Sequence, residues 1–267
     1  MSKRHILGLS GGKDSTALAL FMRDKIKEME YVFCDTGEEL PETYNYLDSV
    51  EAFLGKKIIK VRASHTFSQI LDKMFNGYLP APNMRWCTKL LKLKPFEDYI
   101  GDSEVINYVG IRADEQRTGL ISTRPTLQTV FPFKEHGIDY AGVLRILEDS
   151  GIGLPPYLKW GRTHSGCYFC FYQQTIEWVR LKETHPEYFE KAKQYEKIDR
   201  QNPQNSFTWI QGLALEELEQ PDMMKKIKDA HEARKLRAQT KGKTLVSILG
   251  GIDLPEEQPK SCLLCQI

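Results

Sequence analysis

The 267-residue sequence contains no apolar run approaching the ~18 residues that a membrane-spanning helix requires, which excludes a helical membrane protein. It also lacks a positively charged start followed by an apolar leader. Met1-Ser2-Lys3-Arg4-His5 runs straight into a strand-like segment, so a cytosolic (cytoplasmic) chain with no membrane partner is expected. Neither sign of charge prevails. Lys and Arg number 37 and Asp and Glu 36, which excludes a polycation and confines any nucleic-acid surface to a local patch. Cysteines are few, six in all, and in a reducing compartment they serve as thiols or metal ligands sooner than as disulfides. None of the six histidines stands in an H-x-x-x-H or H-E-x-x-H spacing, no Ser-His-Asp hydrolase signature is visible, and no internal repeat or low-complexity tract occurs. What remains is an ordinary globular composition, 41% apolar and 27% charged, long enough for one to two domains with a full hydrophobic core.

The first half alternates between short apolar runs and helical stretches. Strands are expected at 5–9, 31–34, 57–61 and 105–109, with helices near 15–29 and 42–54. This alternation predicts an α/β fold, a mostly parallel sheet with crossover helices, in which ligands sit beyond the carboxyl ends of the strands. Gly151, Gly153, Pro155 and Pro156 form a breaker cluster. It divides a nucleotide-binding region (1–150) from a helical, cysteine-bearing C-terminal region (151–250) and a Pro-containing tail (251–267). In the second region, helices are expected near 173–182, 186–200 and 215–239.

The strongest local signal is Ser10-Gly11-Gly12-Lys13-Asp14-Ser15, placed between the first strand and the first helix. The glycines allow a phosphate to approach backbone N–H groups, and the helix that follows points its positive end at the same anion. Ser10 and Ser15 supply hydroxyls and Lys13 a charge. The G-x-x-x-x-G-K-[ST] spacing of a Walker A loop is absent. Asp35 and Thr36 follow the second strand and Arg112 the fourth, so all three are expected to face the same crevice, Arg112 as a bidentate partner for phosphate or sulfate.

These segments resemble known ones. Ser10–Ser15 resembles the PP-loop of the ATP pyrophosphatase superfamily, whose members cleave between the α and β phosphates and adenylate a substrate. Asp35-Thr36-Gly37-Glu38-Glu39-Leu40-Pro41-Glu42-Thr43 is similar to the D-T-G-x-x-F-P-E-T stretch of phosphoadenosine phosphosulfate (PAPS) reductases and their relatives. Cys87-Thr88-Lys89-Leu90-Leu91-Lys92-Leu93-Lys94-Pro95 resembles their C-C-x-x-R-K-x-x-P stretch, and Gly110–Arg117 their G-x-R-x-x-E-S-x-x-R stretch. The resemblance implies an adenine nucleotide alpha hydrolase-like fold, ATP and Mg2+ as ligands, phosphate and cofactor binding by Ser10, Gly11, Gly12, Lys13, Asp14, Ser15 and Thr36, and catalytic roles for Lys13, Asp14, Asp35 and Arg112.

In the cluster-bearing sulfonucleotide reductases a Cys-Cys pair and a later Cys-x-x-Cys pair hold a [4Fe–4S] cluster. The corresponding residues here are Cys87, Cys167 and Cys170, with Thr88 in place of the second cysteine. Cys262 or Cys265 of the tail could complete the set, the fourth iron could stay open, or the site could hold zinc. The tail ends in Cys262-Leu-Leu-Cys265 rather than the reductases' E-C-G-x-H.

The leading expectation is therefore an ATP pyrophosphatase that adenylates an acceptor for sulfur insertion. Relatives of this kind include the adenylating subunit of DNA phosphorothioation systems, which implies DNA and a cysteine desulfurase as partners. The basic residues of 225–243 fit a phosphate backbone, or equally a solvated helix face. The alternatives are a PAPS or adenosine phosphosulfate reductase that releases sulfite, and a non-catalytic nucleotide- or DNA-binding module.

Overall fold

Ile, Val, Tyr and Phe crowd into short segments that can be buried on both faces, and these pair as parallel strands. A computed structural model describes residues 3–117, 124–202 and 205–240, with side chains to residue 237. Strands β1 (Arg4–Gly8), β2 (Glu30–Cys34), β3 (Ile58–Val61), β4 (Val105–Tyr108) and β5 (Leu127–Val130) form one sheet in the order β3-β2-β1-β4-β5. Every neighbouring pair is parallel, with Ile6 opposite Glu30 on one side of β1 and opposite Asn107 on the other.

Helices α1 (Lys13–Met22), α2 (Pro41–Leu54) and α3 (Phe67–Phe75) follow β1, β2 and β3. Next come α4 (Trp86–Thr88), a π-helical turn over Lys89–Leu93, and α5 (Lys94–Ile100). Pro95, which has no N–H to donate, is the second residue of α5, where that N–H is not needed. Helices α6 (Pro132–Glu135) and α7 (Tyr140–Ser150) follow β5, and α7 packs on α1.

Strand order reverses direction beside β1, since β2 lies on one side of it and β4 on the other. This is the kind of crevice in which α/β sheets take their ligands. The loop after β1 and the Gly110–Arg112 segment after β4 therefore share one edge of the sheet, as the alternation of elements predicts.

The C-terminal region is helical: α8 (Thr175–Thr184), α9 (Pro186–Gln194), α10 (Leu215–Leu218) and α11 (Pro221–Thr240). It has its own core, in which Phe67 of α3 and Phe169 meet at 4.4 Å between ring centroids and Phe169 stacks on Trp209 at 4.9 Å. Such ring pairs add about 0.5–1.5 kcal/mol each beyond area burial. Because α3 and α4 belong to this core, residues from both sides of the Gly151–Pro156 breaker are packed together.

Some expected boundaries shift. Helix α1 ends at Met22 rather than near 29, because the chain must turn back before Met29 is buried and β2 begins. Helix α9 ends at Gln194, six residues earlier than expected. The tail, with Cys262 and Cys265, and the basic residues Lys241 and Lys243 lie outside the described residues.

Candidate active site at the carboxyl edge of the sheet

Leu9 is buried, and its N–H closes the β1–β2 ladder by donating to the Val32 carbonyl at 2.8 Å. The chain then turns through Gly11, with φ of 70°, into Gly12, the extended residue just before α1. A Cβ on Gly12 would stand 2.7 Å from Ser165 Oγ and 3.2 Å from Ser10 Oγ, so only glycine leaves this turn open. Gly110 is needed for a similar reason. A Cβ there would meet the Asp14 carbonyl oxygen at 3.0 Å, and its absence lets the end of β4 close on the first turn of α1.

The loop is held from within. Ser10 N–H donates to Ser15 Oγ at 3.2 Å, and Ser15 Oγ donates to the Gly12 carbonyl at 3.2 Å. Two residues from the C-terminal half reach it as well. Lys13 N–H donates to the Tyr157 hydroxyl at 3.2 Å, and Ser165 Oγ donates to Ser10 Oγ at 3.2 Å. Any phosphate seated on this turn thus competes with Tyr157 for a helix N-terminal N–H.

Lys13 Nζ contacts Asp14 Oδ2 at 3.1 Å, and Arg112 Nη1 donates to Asp14 Oδ1 at 2.9 Å. Arg112 is 2% exposed. Its Nε donates to Asp114 at 3.0 Å and its Nη1 lies 2.8 Å from Glu115. Burial works against its charge, but Asp14, Asp114 and Glu115 more than offset this and raise its pKa above the usual arginine value. The structure thus places Arg112 beside the loop as expected, but turned on carboxylates: it fixes Asp14. Tyr140 at the start of α7 lies under both cations, 5.6 Å from Lys13 and 5.4 Å from Arg112.

Asp35, beyond β2, is held apart from this group. It accepts from Arg62 Nε at 2.8 Å, from the Tyr44 hydroxyl at 2.8 Å and from Gly37 N–H at 2.9 Å. Its neighbour Thr36 turns toward the C-terminal region, with Oγ1 3.2 Å from Cys167 Sγ and 3.2 Å from Glu39 Oε1. Tyr168 N–H donates to the Glu38 carbonyl at 2.9 Å, so the Cys167–Tyr168 segment is bonded to the β2–α2 turn.

The cysteines do not form the expected centre from the described residues. Cys167 and Cys170 share a tight turn in which Cys170 N–H donates to the Cys167 carbonyl at 3.0 Å. Cys87 and Cys167 both pack against the aromatic core. Burial, then the Glu39 carboxyl, push the Cys167 thiol well above its ordinary value. Among the described residues no group of three or more His, Cys, Asp or Glu side chains is arranged to hold a metal ion. Cys87, Cys167 and Cys170 would supply three of the four thiolates such a centre needs, and the candidates for the fourth, Cys262 and Cys265, lie outside the described residues. Asp14 has both oxygens engaged, Oδ2 by Lys13 and Oδ1 by Arg112.

Sequence reasoning missed Tyr157, Ser165, Tyr140 and Arg62, since no local motif marks a residue that arrives from a distant segment. His164 is half-buried with its Nε2 enclosed, and desolvation, then the charges of Arg162, Lys13 and Lys92, lower its pKa to about 3. Its Nε2 has no partner among the described residues. A neutral buried histidine binds its proton far more readily once unfolded. Between pH 6.5 and about 3 the unfolded chain therefore takes up the extra proton, and His164 should lower stability as the pH falls. The slope approaches about 1.4 kcal/mol per pH unit. Glu38, raised by burial to about 7, acts in the opposite sense, so the wild type alone will not isolate the effect. Comparing urea unfolding of wild type and His164→Gln at pH 7 and 5 should show the variant losing less stability. Equal losses would mean that His164 is not the titrating group.

Residues 4–164 match the phosphoadenosine phosphosulfate reductase domain. An uncharacterised protein of Methanocaldococcus jannaschii is 28% identical over 205 residues, 72% of this chain and 41% of its own length. A second protein of that organism, also uncharacterised, is 27% identical over 194 residues, 68% of this chain and 45% of its own. The chain thus spans less than half the length of these curated relatives. In fold, it is similar to the phosphoadenylyl-sulfate (PAPS) reductase from Candida auris, solved as a phosphate complex. The TM-score is 0.52 at 16% identity, over 64% of this chain and 84% of the other.

Proposed function

Because the chain belongs to the phosphoadenosine phosphosulfate reductase domain family, we propose that it binds an adenine nucleotide with its phosphates on the Ser10–Ser15 turn and activates an acceptor for sulfur transfer. The observation that carries the reading is the meeting of that turn with Asp14 and Arg112 at the strand-order reversal. Phosphate oxygens would take the N–H groups at the start of α1, displacing the Tyr157 hydroxyl from Lys13 N–H. Lys13 would leave Asp14 for the anion. Arg112 would act as a positioning residue that keeps Asp14 in place when Lys13 moves. Asp35, fixed by Arg62 and Tyr44, would hold the β2–α2 turn that forms the neighbouring wall.

In this reading ATP is the nucleotide. An acceptor oxygen bonds to the α phosphorus as the α–β bridge breaks and pyrophosphate leaves; the terminal persulfide sulfur of a cysteine desulfurase then displaces AMP, and a thiol reductant cleaves the resulting sulfur–sulfur bond to leave sulfur on the acceptor. No step is routed through a metal or an iron–sulfur cluster. The reductase alternative draws on the family's description and predicts a different product. The two separate in one assay: ATP with an acceptor should yield pyrophosphate, whereas a sulfonucleotide with a thiol reductant should yield sulfite. Sulfite without pyrophosphate would replace the first reading by the second.

DNA is the acceptor we propose. Helix α11 packs on α8 through Met224 and Ile227 and leaves Lys225, Lys226 and Lys235 exposed, while Lys228 pairs with Glu183. Each phosphate contact on a duplex should contribute about 0.9 to the slope of log affinity against log salt. Changing Lys225, Lys226 and Lys235 to Ala should therefore flatten that slope by up to about 2.7. An unchanged slope would leave the helix as a solvated face.

A further inference from the structure

Residues 157–168 run from one wall of the candidate site to the other. Toward the first wall, the Tyr157 hydroxyl accepts from Lys13 N–H at 3.2 Å and Ser165 Oγ donates to Ser10 Oγ at 3.2 Å. Toward the second, Cys167 Sγ lies 3.2 Å from Thr36 Oγ1 and Tyr168 N–H donates to the Glu38 carbonyl at 2.9 Å. One segment therefore holds both the turn after β1 and the turn after β2.

Arg162 makes a single unit of it. Its backbone N–H donates to the Tyr157 carbonyl at 3.1 Å. Its Nη1 donates to the Gly166 carbonyl at 3.1 Å and its Nη2 to the Cys167 carbonyl at 2.6 Å. The side chain is buried, with the Trp160 ring centre 5.8 Å from the guanidinium carbon. Thr163 is tied to the buried Glu177 of α8, through its N–H at 2.7 Å and its hydroxyl at 2.8 Å. A segment bonded in this way is stiff, so a shift at Tyr157 is felt at Cys167.

The Tyr157 hydroxyl and a phosphate oxygen compete for the same Lys13 N–H, and each excludes the other. Tyr157 is 4% exposed, so a displaced hydroxyl cannot turn to water where it stands. The short helical turn that carries it, Pro156–Trp160, has to move with it.

We propose that residues 157–168 form a strap that couples the two turns. Tyr157 on Lys13 N–H keeps the strap closed, and a phosphate that takes this N–H loosens the strap's hold on Thr36 and Glu38 and so releases Cys167. The proposal rests on the nucleotide reading, since the anion is taken to be a nucleotide phosphate. It adds an order of events: the cysteine side of the site opens after the phosphates are seated. By linkage, a strap loosened by mutation favours the loaded turn.

The test uses the full chain with ATP as the probe, by calorimetric titration and by hydrogen–deuterium exchange read on peptides spanning 158–170. Tyr157→Phe keeps the ring and its packing but gives Lys13 N–H no acceptor. It should bind ATP roughly two- to tenfold more tightly than wild type, the worth of the hydrogen bond that no longer has to be broken. In wild type, ATP should speed exchange of the Arg162 and Tyr168 amides by a similar factor. Tyr157→Phe should show that faster exchange without ATP. A ligand that only covered the turn would slow exchange instead. Equal or weaker binding by Tyr157→Phe, or exchange at these amides that ATP slows or leaves unchanged, would overturn the strap and leave the nucleotide site standing. No binding of ATP to either protein would overturn both.

Discussion

Replacing Arg112 with Met should cost about 3–5 kcal/mol of folding stability, the range for removing one partner of a buried ion pair. The guanidinium is 2% exposed and is the shared partner of Asp14, Asp114 and Glu115. Removing it leaves Asp14 with Lys13 and Glu115 with Arg117 as their remaining ion pairs, two little-exposed carboxylates facing one another across the gap. Asp114 is largely open to solvent and should contribute least. In thermal unfolding the loss should lower the midpoint by about 6–20 °C for a chain of this size. Adding Asp14→Asn to the variant should recover part of it, because one of the two facing carboxylates is removed. A midpoint within a degree or two of wild type would mean that these carboxylates are satisfied in some other way.

The second large effect is expected at Gly12. A Val side chain there would overlap Ser165 Oγ, the tip of a small side chain that can turn away, so the fold should survive. The turn itself would be filled. Phosphate oxygens would lose their approach to the first N–H groups of α1, and turnover should fall by about 100-fold or more, the scale for losing backbone donors aimed at developing charge. The circular dichroism spectrum should match wild type. An active Gly12→Val enzyme would place the phosphates elsewhere.

Much of this arrangement was legible in the sequence, because two kinds of signal are local. The strands β1, β2, β3 and β4 announced themselves as apolar runs between polar helices, and the Gly11-Gly12 turn as a break between a strand and a helix. Strand β5 escaped notice because it is only four residues long and only half-buried at the sheet edge. Helices α3 and α7 went unpredicted as well, although Phe67 anchors the aromatic core and α7 covers α1.

The site was legible only in part for a related reason. A motif names residues near one another in the chain, so Lys13, Asp14 and Arg112 could be marked as candidates. Whether Arg112 would face phosphate or carboxylate depended on Asp114 and Glu115, whose side chains might have pointed to solvent. That Tyr157 and Ser165 would close over the loop depended on how the C-terminal region folds back, which no spacing encodes. The cysteine pattern is a local signal too, but it says nothing of what surrounds the thiols: Cys167 lies beside Thr36 and the Glu39 carboxyl, two neighbours from the β2–α2 turn that no cysteine spacing encodes.

The most direct test of the central claim is calorimetric titration of ATP into the full-length wild type and into Gly12→Val, at equal protein concentration. The account predicts saturable binding to the wild type, and no detectable binding to a Gly12→Val protein that is still folded. Equal affinity in the two proteins, or no binding to either, would contradict a nucleotide site on the Ser10–Ser15 turn.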